Sequence, residues 1–287
     1  MAIDYQKLKH WPFPEIVQSY TAKETILYAL GLGLGADPTD KDELRFVYED
    51  GLKALPTMAV VLGSVGGWSQ NPETGINWKM VLHGEQSLVL HKPLPPAATV
   101  SGRSAIEEIV DKGAGKGALV YTRREIRDKE TGELLASLNS TSFLRGDGGF
   151  GGPSGPTKAV HALPERAPDL HDDIATLPQA ALIYRLSGDY NPLHADPEVA
   201  KAAGFPRPIL HGLCTFGVAG RALLRTLCGY DPARLKRMDV RFSAPVFPGE
   251  TIRTEIWREG GKAFGFRCRV LERDVVAINN GSAEIEA

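Results

Sequence analysis

Cysteine is scarce in this 287-residue chain: Cys214, Cys228 and Cys268 are the whole set. Three such widely spaced residues supply neither a disulfide framework nor a Cys-based zinc site, and they read as buried thiols in a reducing compartment. Net charge is also nearly absent. Lys and Arg total 33 against 35 Asp and Glu, leaving −2, so nothing in the bulk charge attracts nucleic acid. No hydrophobic run approaches the roughly 18 residues of a membrane span. The opening MAIDYQKLKHWPF lacks the apolar segment of a secretory signal, and the closing AEIEA lacks the peroxisomal tripeptide. The cytoplasm is therefore the expected location. What is present is 43% hydrophobic and 24% charged residues, the composition of a soluble globular protein with length enough for two domains.

The break between those domains is RGDGGFGGPSGPTKAVHALPERAPD, residues 145–169, whose glycine and proline content predicts a flexible linker. It separates an N-terminal domain, 1–144, from a C-terminal domain, 170–287. In the first, ETILYALGLG and LPTMAVVLGSV predict short helices. QSLVLHKPL, ATVSGRSAIEEIV, GALVYTRREIRD and LLASLNSTSFL predict strands, with the turns DKGAGKG and KETGE between them. In the second, ILHGLCTFGVAGRALLRTL carries an apolar stripe at helical spacing. Its Gly217 and Gly220 each weaken an isolated helix by about 1 kcal/mol, a cost that close approach to a sheet would offset. MDVRFSAPV, ETIRTEIWREG, KAFGFRCRVLERD and VAINNGSAEIE predict strands after it. KPLPPAATV from Lys92 matches APVFPGETI from Ala244, and ILYALGLG from Ile26 matches LIYRLSGD from Leu182. These matches suggest an internal duplication, with a helix laid across an antiparallel sheet in each half.

Chemistry concentrates in GDYNPLHADPEVAKAAGFPRPILHG, Gly188 to Gly212. LIYRLSGD predicts a short helix ending near Gly188, and Pro192 holds Asn191 extended. Asp196 and Pro197 have a structural explanation as N-cap and first residue of a helix. Asp189 and His194 have no such cap to serve. A buried, hydrogen-bonded pair of purely structural purpose is one reading. The other is that they share a water, which Asp189 and His194 orient and deprotonate toward an electrophile. Gly212 opens the apolar helix, where a backbone N–H lacks an intrahelical partner and no side chain blocks a ligand carbonyl. Such a helix end favours the negative charge that develops when a nucleophile adds to a conjugated thioester. His211 would cap or position the loop.

Three rival chemistries find little support. Asp189, His194, Asp196 and His211 lack an established metal-ligand spacing, so no metal is expected. GLCTFG and GGPSG are not a serine-nucleophile elbow. GLGLG at 31–35 and KGAGKGALV at 112–120 do not have the spacing of a nucleotide-phosphate loop.

At these residues the chain resembles the MaoC-like dehydratases, specifically the two-domain type 2, (R)-specific enoyl-CoA hydratases. YRLSGDYNPLHADPEVAKAAGFPRPILHG carries the likeness, supported by ELRFVYED, LPTMAVV and LHGEQSLVLHKPLP, and it extends over nearly the whole chain. The resemblance implies an α+β double hot-dog fold, two antiparallel sheets each wrapped around a central helix. It implies reversible syn hydration of a trans-2-enoyl-CoA to the (3R)-3-hydroxyacyl-CoA, without a cofactor beyond the CoA on the substrate. The family's acid and imidazole fall on Asp189 and His194, its supporting Asn on Asn191 and its oxyanion-hole amide on Gly212. The N-terminal half, with Gly33 and Pro38 where the polar pair would stand, would accommodate the acyl chain. Arg185, Lys201, Arg207, His211, His83 and Lys92 are the candidates for holding the substrate and its CoA phosphates. A homodimer is compatible with the fold. An acyl-CoA thioesterase, a noncatalytic acyl-CoA-binding protein and an isomerase remain as competing readings on the same scaffold.

Overall fold

The computed structural model describes residues 3–286. Ten strands form one antiparallel sheet: β1 (Ile16–Tyr20), β2 (Val81–Leu90), β3 (Ala98–Asp111), β4 (Ala118–Asp128), β5 (Leu134–Leu144), β6 (Leu170–Ala175), β7 (Leu235–Phe242), β8 (Thr251–Gly260), β9 (Ala263–Val270) and β10 (Val275–Ile285). Their order is β1-β3-β4-β5-β2-β7-β10-β9-β8-β6. Read outward from the β2–β7 junction, both halves repeat one connectivity, with β2, β5, β4, β3 and β1 matched by β7, β10, β9, β8 and β6. The duplication suggested by the short sequence matches is thus repeated in the topology.

The long strands form because apolar residues alternate with polar ones and turn residues bound each run. Between β4 and β5, for instance, the Asp128 carboxylate accepts from the amides of Glu130 and Thr131 at 2.9 and 2.8 Å. The architecture is the expected α+β double hot-dog, with two refinements. The half-sheets are continuous, because β2 and β7 pair from Glu85↔Arg241 to Val89↔Arg237 and remove two exposed edges. Only the C-terminal half holds a long central helix, α6 (Gly212–Leu223), continued by a wider turn over Leu224–Cys228. In the N-terminal half LPTMAVV forms a buried 3-10 turn over Pro56–Val61.

Five shorter helices complete the fold: α1 (Tyr5–Lys9), α2 (Ala22–Gly31), α3 (Lys41–Leu44), α4 (Ala180–Tyr184) and α5 (Pro197–Ala202). Helix α2 starts at a capping box in which Thr21 and Glu24 exchange hydrogen bonds. It packs against α4, its counterpart in the other half, with the Tyr28 and Tyr184 rings 5.8 Å apart. The glycines of α6 serve a different neighbour from the one expected. A Cβ at Gly217 would lie 2.6 Å from Leu32, and one at Gly220 would lie 2.4 Å from Thr57, with Met238 of β7 at 3.6 Å. The close approach is therefore chiefly to helical segments of the N-terminal half rather than to the sheet.

One charged group lies within α6. Arg221 ion-pairs with Glu43 of α3, and the side chains are only 6% and 4% exposed. Arg221 Nη1 also donates to the Leu32 carbonyl at 3.0 Å, while Glu43 accepts from Tyr230 Oη at 3.0 Å and the Gly35 amide at 2.8 Å. This network, in which only Arg221 Nε lacks a partner, ties the central helix to the N-terminal half.

The Gly- and Pro-rich segment 145–169, expected as a linker, is hydrogen-bonded to both halves. The Asp111 carboxylate accepts from the amides of Gly149, Gly151 and Gly152 at 2.7, 2.9 and 3.3 Å. Farther along, Asn280 donates to the His161 carbonyl at 2.7 Å and the Trp257 indole to the Arg166 carbonyl at 2.8 Å. A Cβ at Gly149 would stand 2.9 Å from Ala114, so glycine is what permits the close approach there.

Candidate active site

Helix α4 tightens into a 3-10 turn over Arg185–Ser187 and stops at Gly188, whose φ of +116° turns the chain away. Two side-chain turns then set the loop. The Asp189 carboxylate accepts the Asn191 amide at 3.2 Å, and Asn191 Oδ1 accepts the Leu193 amide at 3.1 Å. Pro192 opens a short 3-10 turn ending at His194. Asp196 caps α5 as expected, accepting from the amides of Glu198 and Val199 at 2.9 and 3.4 Å. After α5 the chain returns through Ile209 to His211 and the start of α6.

Two imidazoles close this excursion. His194 Nδ1 donates to the Ile209 carbonyl at 2.9 Å, and His211 Nε2 donates to the Asp189 carbonyl at 3.1 Å. A carbonyl can only accept, so these bonds place the neutral-ring protons on those nitrogens and leave lone pairs on His194 Nε2 and His211 Nδ1. The rings stack with centroids 3.7 Å apart, and Tyr184 packs against His211 at 5.1 Å. One polar atom from each of Asp189, His194 and His211 lies within 4.8 Å of the others.

Both rings are buried, at 8% and 1% exposure, and the Asp189 residue is exposed. Burial pushes the His194 pKa below its ordinary value, with Asp189 pulling the other way. Burial, then the neighbouring His194, pushes His211 down to about 4. Both are therefore neutral at pH 7. A neutral His194 with its free lone pair beside a carboxylate is equipped to accept a proton from water.

The N-terminal half reaches this centre. Phe242 lies 3.4 Å from where a Cβ on Gly212 would stand, and the His83 ring packs 4.9 Å from Phe242. Burial pushes the His83 pKa to about 4, and Asp189 is among the charges acting on it. Gly212 is the first residue of α6, and His211 gives that helix no side-chain cap, so its amide is free of an intrahelical bond. Two cavities flank the Pro56–Val61 turn. One, about 250 Å³, touches Val60, His83 and Leu213. The other, about 140 Å³, touches Val61, Leu186 and Gly188. A third cavity of about 410 Å³, beneath residues 158–161, borders none of the loop residues.

The basic candidates divide. Arg185 lies with its guanidinium carbon 5.0 Å from the Tyr190 ring centre, and its charge acts on His211. Lys201 is exposed in the last turn of α5. Arg207 is turned to the Pro248 carbonyl at 3.2 Å and the Phe247 ring at 5.1 Å. Lys92 is removed from the group: it lies beyond the far end of β2 from His83 and ion-pairs with Glu133. Sequence reasoning passed over Phe242 and Arg124. For Arg124 a signal existed, since it continues the inward-facing series Val120, Thr122, Arg124 and Ile126 of β4, where a charge is out of place.

Two family models match the chain, an MFE-2 hydratase 2 N-terminal domain over residues 18–146 and a MaoC like domain over 159–280. It is 43% identical to the 3-hydroxyacyl-thioester dehydratase Y of Mycobacterium tuberculosis, with 100% of each chain covered. With the peroxisomal enoyl-CoA hydratase 2 of Arabidopsis thaliana it shares 40% identity over 92% of this chain and 90% of the plant protein. The crystal structure of a MaoC-like dehydratase from Phytophthora capsici superposes with a TM-score of 0.86 at 38% identity, covering 99% of this chain and 98% of that one.

Proposed function

Because the chain belongs to the MaoC-like dehydratase family in its two-part hydratase 2 form, we propose that it reversibly hydrates a trans-2-enoyl-CoA to the (3R)-3-hydroxyacyl-CoA. The observation that carries this reading is the gathering of Asp189 and His194 at the start of α6. Water lies between the Asp189 carboxylate and His194 Nε2. As its oxygen bonds to C3, the C2–C3 π pair moves toward the thioester. The oxyanion is met by the Gly212 N–H, where the helix end stabilises it. His194 takes one water proton, and a proton returned to C2 from the same side completes a syn addition with no net change in the enzyme. His211 is a positioning residue, since its hydrogen bond to the Asp189 backbone and its stack on His194 fix both groups. Asn191 holds the turn between them.

The cavity at Leu213 and His83 supports an acyl-chain role for the N-terminal half, with the CoA end toward Arg185. No cofactor enters this scheme apart from the CoA of the substrate. The three free, buried cysteines suit a reducing compartment, which supports a cytoplasmic site of action. Among the described residues no helix is long and apolar enough to cross a membrane. A homodimer belongs to the same proposal and would be read by sedimentation velocity.

A panel of trans-2-enoyl-CoAs tests the reaction. Hydration lowers the enoyl absorbance, releases no thiol and gives the (3R) product on chiral analysis. Thiol release would favour a thioesterase, and binding without turnover would favour a carrier.

A further inference from the structure

The 250 Å³ cavity beside the site is not an apolar sleeve. Ser104, Thr122, Ser140, Gln86 and Arg124 contribute to its wall. Phe13 and Trp68, with ring centroids 5.1 Å apart, form an aromatic part of the same wall. Arg124 Nη2 donates to the Val60 carbonyl at 2.6 Å, while Nε is shielded from solvent and has no partner. Among the described residues no carboxylate pairs with Arg124. This contrasts with Arg123 and Arg127 on the same strand, which share Glu125. Burial pulls the Arg124 pKa down to about 10, which leaves it cationic at neutral pH.

A half-buried guanidinium without a counterion is costly to keep, and an aliphatic chain drawn over it would remove more water without replacing its hydrogen bonds. A carboxylate supplies both the opposite charge and two acceptors for the remaining N–H groups. Resting on the hydratase reading above, we propose that Arg124 is a specificity residue and that the cavity selects enoyl-CoAs whose acyl chain ends in a carboxylate. The thioester end stays at Gly212, and the chain passes His83 and Leu213 toward β4. The phosphates of CoA are the other anionic source, and the test separates the two.

Wild-type protein, Arg124→Met and Arg124→Lys are assayed with paired enoyl-CoAs of equal length, one methyl-ended and one carboxylate-ended, through the adipic to dodecanedioic series. The quantity read is the ratio of kcat/KM for the carboxylate-ended over the methyl-ended member. Wild type is expected to exceed unity at one or more lengths. Arg124→Met is expected to lower that ratio by about tenfold to a hundredfold, the range of a charged hydrogen bond, through KM. Arg124→Lys, which keeps the charge but not the fork, should fall between them. A wild-type ratio at or below unity throughout the series, or a ratio unchanged in Arg124→Met, overturns the proposal. If Arg124→Met instead lowers both CoA substrates equally but spares the corresponding pantetheine thioesters, the partner is a CoA phosphate and the proposal fails. Should Arg124→Met not fold, the wild-type ratio and Arg124→Lys still decide. Turnover of the methyl-ended substrates by wild type reports separately on the hydratase reading.

Discussion

Removing the Glu43 carboxylate leaves a buried cation inside the central helix. In Glu43→Ala, Arg221 keeps its Leu32 carbonyl but loses its ion pair, and Tyr230 Oη and the Gly35 amide lose their acceptor. Breaking a buried pair by deleting one partner costs about 3–5 kcal/mol, and an orphaned buried donor adds about 1–3 kcal/mol. Set against a typical stability of about 5–15 kcal/mol, that is a large fraction of the whole. The double variant Glu43→Met, Arg221→Met removes both charges with similar volume and should recover most of the loss, because an apolar pair avoids the desolvation penalty. Urea unfolding followed by far-ultraviolet circular dichroism measures both. An unchanged midpoint in Glu43→Ala, or a double variant no more stable than the single, would refute the reasoning. Gly212 lies at the other end of the same helix, so Glu43→Ala should also lower turnover although Glu43 touches no substrate in the proposed scheme.

Acid should loosen the fold before the carboxylates titrate. The folded His211 titrates at about 4 against an ordinary 6.5, so the unfolded chain takes up its proton first as pH falls. Its stabilising contribution is whole above pH 6.5, is lost progressively toward pH 4, and amounts to about 3 kcal/mol over that window. His194 and His83 shift in the same direction. Urea unfolding between neutral pH and about pH 5 should show this slope, reduced in His211→Asn; a flat profile would contradict it. In Gly220→Ala the new methyl would meet Thr57 at 2.4 Å, and the overpacking should cost about 1–3 kcal/mol, read as a lowered urea midpoint.

Much of this was legible along the chain. The apolar period around Gly217 and Gly220 marked α6, and Asp196–Pro197 marked the start of α5, because both signals are local. Alternation located the long strands, whereas IVQSY of β1 and LHDDIA of β6 are short edge strands with too few alternating residues to register. Pairing of β2 with β7 left no local trace, since no turn joins them. Asp189, Asn191, His194 and Gly212 stood out by residue type and position. The positioning role of His211 was legible too, but its partner, a backbone carbonyl 22 positions earlier, was not. Glu43 and Arg221 meet across 178 positions, beyond the reach of any periodicity.

The sharpest test of the account is crotonyl-CoA hydration by Asp189→Asn. That variant keeps the side chain's shape and removes the charge that the proposed scheme sets against the attacking water. Turnover should fall by about a hundredfold or more, with circular dichroism like that of the wild type. Near wild-type turnover in a normally folded Asp189→Asn would contradict the central claim.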